Sequence, residues 1–211
     1  MENNIHQIWV GNKRIPTHIK EYMDGVRDHH KDFNYYLWTD DNLPELPENL
    51  KELYDQCDHP VGKADLLRMY VVYKFGGIYL DADFKTVGGF DPGIMAYDGF
   101  FSYDDSYGMS ALANGIFGFK KGDSLLGYMI DNITYKHQWL GPNWWAQIIC
   151  RYLEMDNDKS TVEQLKEALA PMNFRVFHFK DVGNNWFIHD ALASWIDGSF
   201  WNEKLKTGDY D

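Results

Sequence analysis

The apolar residues of this chain fall into short blocks of two kinds, continuous runs and runs with helical spacing. Residues 5–10, IHQIWV, are mostly apolar and closed by Gly11, the pattern of a short buried strand, and residues 35–38 form a second. Between them, Thr17 is placed to cap a helix running toward His30. A turn-rich stretch over residues 39–42, with Pro44 and Pro47, leads into a helix over 48–56. The clearest helix spans 61–75, where Ala64, Leu67, Val71 and Phe75 recur at helical spacing and Gly76-Gly77 supplies a C-terminal stop. A strand over 78–80 follows at once. Downstream, strands over 99–103, 115–119 and 174–179 alternate with helices over 124–135 and 144–153. A further helix is opened by Ser160-Thr161-Val162-Glu163, read as a capping box, and stopped by Pro171. Strands alternating with helices predict an α/β layered fold. Its sheet is mainly parallel and flanked by helices, with some antiparallel pairing after residue 98. The expectation is one domain over residues 1–211, complete or the N-terminal part of a longer chain.

Composition narrows the function. Of the 211 residues 45% are hydrophobic, which excludes disorder, yet no apolar run is long enough to span a bilayer. The first residues, Met1-Glu2-Asn3-Asn4, lack the basic flank and apolar stretch of a signal peptide, so the expected compartment is the cytosol. Cys57 and Cys150 follow no metal-ligand spacing and read as ordinary thiols. A formal charge of −12 repels nucleic acid and anionic lipid, so a polyanionic ligand needs a divalent cation beside it. Aromatic residues make up 17%; most serve a core, and a partly exposed Trp or Tyr offers a flat platform for a nucleobase or sugar ring.

The chemistry concentrates at Gly76-Gly77-Ile78-Tyr79-Leu80-Asp81-Ala82-Asp83. Asp-x-Asp occurs three times, at 81/83, 156/158 and 209/211, so the triplet alone decides nothing. Only the first follows an apolar strand, at the carboxyl edge where open α/β sheets bind ligands. Placed on that strand, Asp81 and Asp83 would face the same way about 6–7 Å apart. Two such carboxylates suit Mn²⁺ or Mg²⁺, which leaves its other positions to water and phosphate. On the preceding helix Asp65 and Arg68, three residues apart, share a face opposite Ala64, Leu67 and Val71. They form a plain ion pair or, carried to the same sheet edge, a clamp for sugar hydroxyls.

Three segments in this order, Ile5-His6-Gln7-Ile8-Trp9-Val10-Gly11, Lys63-Ala64-Asp65-Leu66-Leu67-Arg68 and Gly76 through Asp83, resemble the sugar-binding region of the DXD glycosyltransferases. The similar enzymes are of the capsular-polysaccharide and yeast mannosyltransferase type, with the large clostridial glucosylating toxins as distant cousins. They include compact enzymes encoded by large algal viruses. Asn114, Gly141-Pro142 and His189 followed by Ser194-Trp195 are similar to later signatures of the family. The resemblance implies a GT-A type, Rossmann-like fold and transfer of a sugar from a UDP-sugar to a carbohydrate or glycan acceptor. It implies that Trp9 stacks on uracil while Ile8 and Val10 contribute backbone groups. Asp65 and Arg68 would hold the donor sugar, with Asp65, Arg68 and Asp83 carrying catalysis. Tyr79, Asp81, Ala82 and Asn114 would line the donor pocket, with Ser194 and Trp195 closing over the diphosphate. The metal would sit on Asp81, Asp83 and His189. Two departures are Ala64, where the family has Ser, and the expected lack of an N-terminal membrane anchor.

The resemblance further implies retention of configuration by attack from the leaving-group side, with no dedicated base. An inverting enzyme would need a carboxylate near the acceptor, at Asp104 or Asp105. Two alternatives fit part of the pattern. A haloacid-dehalogenase-like phosphatase also follows a strand with Asp-x-Asp, but it expects Thr or Val where Lys85 stands. A metal-dependent sugar-binding module would share the acidity and the aromatics without needing a nucleotide platform.

Overall fold

The computed structural model describes residues 1–11, 13–104, 111–134, 140–156, 160–178 and 187–189, with the backbone alone at 104, 111 and 187–189. Six strands build one sheet in the order β2-β1-β3-β6-β5-β7. They are β1 (Asn4–Ile8), β2 (Asn34–Trp38), β3 (Gly77–Leu80), β5 (Gly99–Asp104), β6 (Ala111–Phe119) and β7 (Phe174–His178). β1 runs parallel to β2 and β3, β6 is antiparallel to β3 and β5, and β5 is parallel to β7. Only β6 is reversed, so the chain leaves β1, β2, β3, β5 and β7 along one common edge. The expected mainly parallel sheet with antiparallel pairing after residue 98 is therefore observed.

The helices are α1 (Thr17–His29), α2 (Glu48–Gln56), α3 (Pro60–Phe75), α4 (Ser124–Asp131), α5 (Pro142–Tyr152) and α6 (Val162–Leu169). Strand alternation divides the core between the two faces of the sheet. Ile78, Leu80, Phe100 and Ile116 point to one side and pack with Val26 of α1, Phe84, Phe90 and Ile94. Tyr79, Phe101, Phe117 and Phe119 point to the other and pack with α3, α4 and α5, including the fully buried Trp145. Each such aromatic removed from water contributes about 1.5–3 kcal/mol.

Several boundaries differ from expectation for local reasons. Thr17 does not cap α1: Pro16 precedes the helix, Thr17 is its first residue and no side chain caps it. The capping box of α6 sits one residue later, with Thr161 and Gln164 bonding reciprocally in place of Ser160 and Glu163. α4 ends four residues short of Tyr135, at Asp131, and β6 begins at Ala111, before the expected 115. Patterning also missed a second, two-stranded sheet in which β4 (Phe84–Thr86) pairs antiparallel with β8 (Phe187–His189).

The Gly76-Gly77 stop is built as expected, with φ of +70° and +108°. A Cβ on Gly77 would lie 2.4 Å from the Asn4 carbonyl oxygen, so the turn folds directly onto β1. Asn4 Nδ2 donates to the Phe75 carbonyl at 2.9 Å. The His6 ring fixes its own tautomer: Nδ1 accepts from the Trp38 indole at 3.2 Å, so Nε2 carries the proton donated to the Gly76 carbonyl at 2.9 Å. These bonds lock the end of α3 to β1 and set where β3 delivers Asp81.

Candidate functional site

The acidic motif sits just past β3 on the common edge. Asp81, Ala82 and Asp83 form a turn rather than the end of a strand, with the Phe84 N–H donating to the Asp81 carbonyl at 3.3 Å. The strand rule that both carboxylates face the same way therefore does not apply; the turn sets their directions instead. The Asp81 N–H is held by the Gly115 carbonyl at 2.8 Å. Asp81, Ala82 and Asp83 are all partly exposed.

Arg68 is the centre of the site. Its Nη2 lies 2.9 Å from Asp65 Oδ1 and 3.4 Å from Asp81 Oδ1, while Nη1 donates to the Asn114 carbonyl at 2.8 Å. The guanidinium stacks 4.9 Å over the Tyr79 ring, and the Tyr79 hydroxyl donates to Asp81 Oδ1 at 2.6 Å. Asp65 and Arg68 were expected on a polar face opposite the apolar positions, yet both are buried, at 5% and 6% exposure. The reason is that α3 is covered on several sides, touching α2, α4, β1, β3 and β6. A pair that would contribute tenths of a kcal/mol on a surface is here a desolvated network whose members depend on one another.

Burial pushes the Asp65 carboxyl up to about 6, against the pull of Arg68; Asp81 raises it further and the Leu140 N–H lowers it. Burial also raises the Tyr79 phenol, so it remains a donor. Arg68 stays charged: burial opposes its charge, but Asp81, Tyr79, Asp65 and Asp83 all favour it. Three carboxylates against one guanidinium leave a formal charge of 1 − 3 = −2 when all are ionised. Such a field attracts a cation. Among the described residues no three His, Cys, Asp or Glu side chains converge as a closed metal cage. The donor set fits a hard ion that takes one or two carboxylates and fills its shell with water and phosphate, as Mg²⁺ and Mn²⁺ do.

The other expected residues divide clearly. Ile8 ends β1 and is buried; Trp9 and Val10 lie beyond the strand, which stops two residues earlier than expected. Trp9 is half-buried, its indole N–H donating to the Lys13 carbonyl at 2.9 Å. Asn114 lies on β6 and donates to the Leu140 carbonyl at 3.0 Å, so Asp65 and Asn114 hold the N–H and the carbonyl of one residue, Leu140, ahead of α5. Backbone pairing sets His189 opposite Phe84, the residue after Asp83. Asp104 and His189 are described by backbone alone, and Asp105, Ser194 and Trp195 lie outside the described residues.

Two neighbours escaped sequence reasoning. A Cβ on Gly115 would lie 2.8 Å from Asp81 Oδ2, so the carboxylate rests directly on a glycine. Gln7 is wholly buried and reaches the Asp81 carbonyl at 3.1 Å. A polar residue inside the apolar run 5–10 is a legible signal, since buried amides need partners.

Residues 16–99 match the family model described as the glycosyltransferase sugar-binding region containing DXD motif. Over residues 16–99 the chain is similar to the DXD-type glycosyltransferases. The matched segment holds α3, Gly76-Gly77, β3 and the Asp81–Asp83 turn. Inositol phosphoceramide mannosyltransferase 3 of Schizosaccharomyces pombe is 33% identical over 134 residues, covering 61% of this chain and 36% of that protein. The uncharacterized glycosyltransferase L373 of Acanthamoeba polyphaga mimivirus is 31% identical over 142 residues, covering 62% and 55%. The chain thus spans between about a third and just over half of these relatives' lengths. Among solved structures, the PaToxG glycosyltransferase superposes with a TM-score of 0.57 at 18% identity, covering 82% of this chain and 79% of that one. The UDP-bound glycosyltransferase domain of the YGT toxin gives 0.52 at 11% identity, covering 98% and 86%. These likenesses establish the fold as that of GT-A glycosyltransferases. No helix among the described residues is long and apolar enough to cross a membrane.

Proposed function

We propose that this chain is a metal-dependent glycosyltransferase that moves a sugar from a nucleotide-sugar donor, a UDP-sugar, to a carbohydrate hydroxyl. The observation that carries the reading is the buried Asp65–Arg68–Asp81 network opening onto the partly exposed Asp81–Asp83 turn at the carboxyl edge. The UDP bound in the YGT toxin domain supports the choice of nucleotide, and the mannosyltransferase names of several relatives support a hexose.

Asp81 and Asp83 would hold Mn²⁺ or Mg²⁺, with His189 as a further ligand; the backbone pairing of His189 with Phe84 supports this reading. When bound, the ion supplies positive charge to the diphosphate as it leaves. The chain's own groups do the rest. Trp9 offers its ring to the base at the end of β1, next to Ile8 and Val10. Asp65 and Arg68 orient the sugar, their geometry fixed by Tyr79, Asn114 and the Leu140 backbone, so the anomeric carbon is presented without reorganising the site. Retention follows if the acceptor attacks on the leaving-group face. Ser194 and Trp195 are proposed to close over the diphosphate.

Hydrolysis of a panel of UDP- and GDP-sugars, with Mn²⁺ or with EDTA, tests the reading. A metal-dependent signal for at least one UDP-sugar is expected, with near-complete loss in Asp83→Asn. Equal turnover in that variant would remove the metal role. A phosphorylated Asp81, trapped by a phosphate mimic, would point to the phosphatase instead. Glycan binding without any UDP effect on tryptophan fluorescence would point to a binding module.

A further inference from the structure

Gln7 lies on β1, outside the acidic motif and outside the segment that matches the family model. It is 0% exposed, and both ends of its amide are used. Nε2 donates to the Asp81 carbonyl at 3.1 Å, and Oε1 accepts from the Tyr35 hydroxyl at 2.7 Å. The orientation is forced, because a carbonyl can only accept and so must face the NH₂ side. Burial raises the Tyr35 phenol, which keeps it a donor. The Asp81 carbonyl receives a second bond, from the Phe84 N–H that closes the turn. On the other side of the same residue, the Asp81 N–H is held by Gly115. The backbone of Asp81 is therefore clamped from both neighbouring strands, β1 through a side chain and β6 through its main chain.

We propose that Gln7, braced by Tyr35, is a positioning residue that sets the Asp81–Phe84 turn and thereby aims the Asp83 carboxylate at the cation accompanying the donor. The inference rests on the site reading given under Proposed function. Gln7 touches no reacting atom; its effect passes through one carbonyl. A polar side chain buried in a strand costs desolvation unless both ends are satisfied, and here both ends are satisfied along a line that terminates at the acidic turn. Partners one shell outside metal ligands typically change metal affinity by roughly 10–100-fold when removed.

Three variants separate the parts. Gln7→Met keeps length and loses both bonds. Gln7→Glu keeps the acceptor for Tyr35 and sets a second acceptor against the Asp81 carbonyl. Tyr35→Phe removes only the brace, and decides the matter if either Gln7 variant fails to fold by circular dichroism. Two readouts are taken: amide exchange at Phe84, and the apparent Mn²⁺ constant for UDP binding followed by tryptophan fluorescence, alongside UDP binding without metal. Expected are exchange at Phe84 faster by roughly tenfold in Gln7→Met and Mn²⁺ binding weaker by roughly tenfold or more, with metal-free UDP binding unmoved. Tyr35→Phe moves both in the same direction by less. Unchanged exchange or unchanged Mn²⁺ dependence in folded variants overturns the proposal. If the wild-type protein binds no Mn²⁺ with UDP while exchange still quickens, the site reading itself falls, and the role of Gln7 toward a cation falls with it.

Discussion

Tyr79 donates its hydroxyl to Asp81 across 2.6 Å while its ring lies 4.9 Å beneath the Arg68 guanidinium. One side chain of β3 thus holds both the first acidic residue of the motif and the arginine that neutralises it. The consequences can be measured separately.

Tyr79→Phe keeps the ring under Arg68 and deletes the donor. A hydrogen bond to a charged acceptor contributes about 1.5–3 kcal/mol, so urea denaturation should show a loss in that range. Donor KM should rise with it, because Asp81 Oδ1 then loses the Tyr79 hydroxyl that holds it alongside Arg68. Unchanged stability and KM would mean that the hydroxyl is a bystander.

Gly115→Ala tests the contact between glycine and carboxylate. The backbone there is not left-handed, so the added methyl acts only by pressing on Asp81 Oδ2 at 2.8 Å and Phe84 at 3.4 Å. Melting should fall by about 1–3 kcal/mol in equivalent stability. Metal-dependent donor hydrolysis should drop by roughly tenfold or more. A fully active variant would show that Asp81 can move without cost.

Removal of Arg68 leaves the buried Asp65 and the partly exposed Asp81 beside each other without this counter-charge. Arg68→Leu should therefore lose about 3–5 kcal/mol, read by chemical denaturation. Asp65→Asn should lose far less, since a carboxyl raised to about 6 is already close to its neutral form in mildly acid solution. The folded state holds the Asp65 proton more tightly than the unfolded chain, so this group's contribution to stability falls as pH rises from about 4 to 6. The Asn variant should lack that slope. Equal losses in the two variants would contradict the network.

His6 gives the opposite pH dependence. Burial lowers its pKa to about 4, with the Gly76 bond opposing, so the folded state binds this proton less tightly than the unfolded chain. Stability from His6 is complete above about 6.5 and declines as pH falls toward 4, by up to about 1.4 kcal/mol per pH unit. The difference in melting temperature between the wild-type protein and His6→Gln, followed from pH 7 to 4, should shrink on acidification. A constant difference would show that His6 is not held neutral.

Residue patterning located the layers well because they rest on local periodicity. α3 and its Gly76-Gly77 stop, β3 after them, and the strand blocks around Phe100 and Phe117 all appear where repeating apolar positions and glycines require them. Caps were less legible, since Thr161 and Ser160 are equally good candidates until the backbone selects one. The acidic motif was found from its place after β3, but its geometry was misread. Whether Asp81 continues a strand or opens a turn depends on Gly115 and Gln7, which come from two other strands.

What the sequence determined by itself is the α/β alternation and the delivery of Asp81 and Asp83 to the carboxyl edge, because hydrophobic period and glycine conformation act within a few residues. Tertiary structure alone decided that Asp65 and Arg68 are buried, since that depends on how many elements crowd around α3. It also decided that Tyr79, Gln7 and Gly115 converge on one carboxylate-bearing residue. Those contacts join positions from 2 to 74 residues apart, and which of them meet is set by strand order and register rather than by any pattern along the chain.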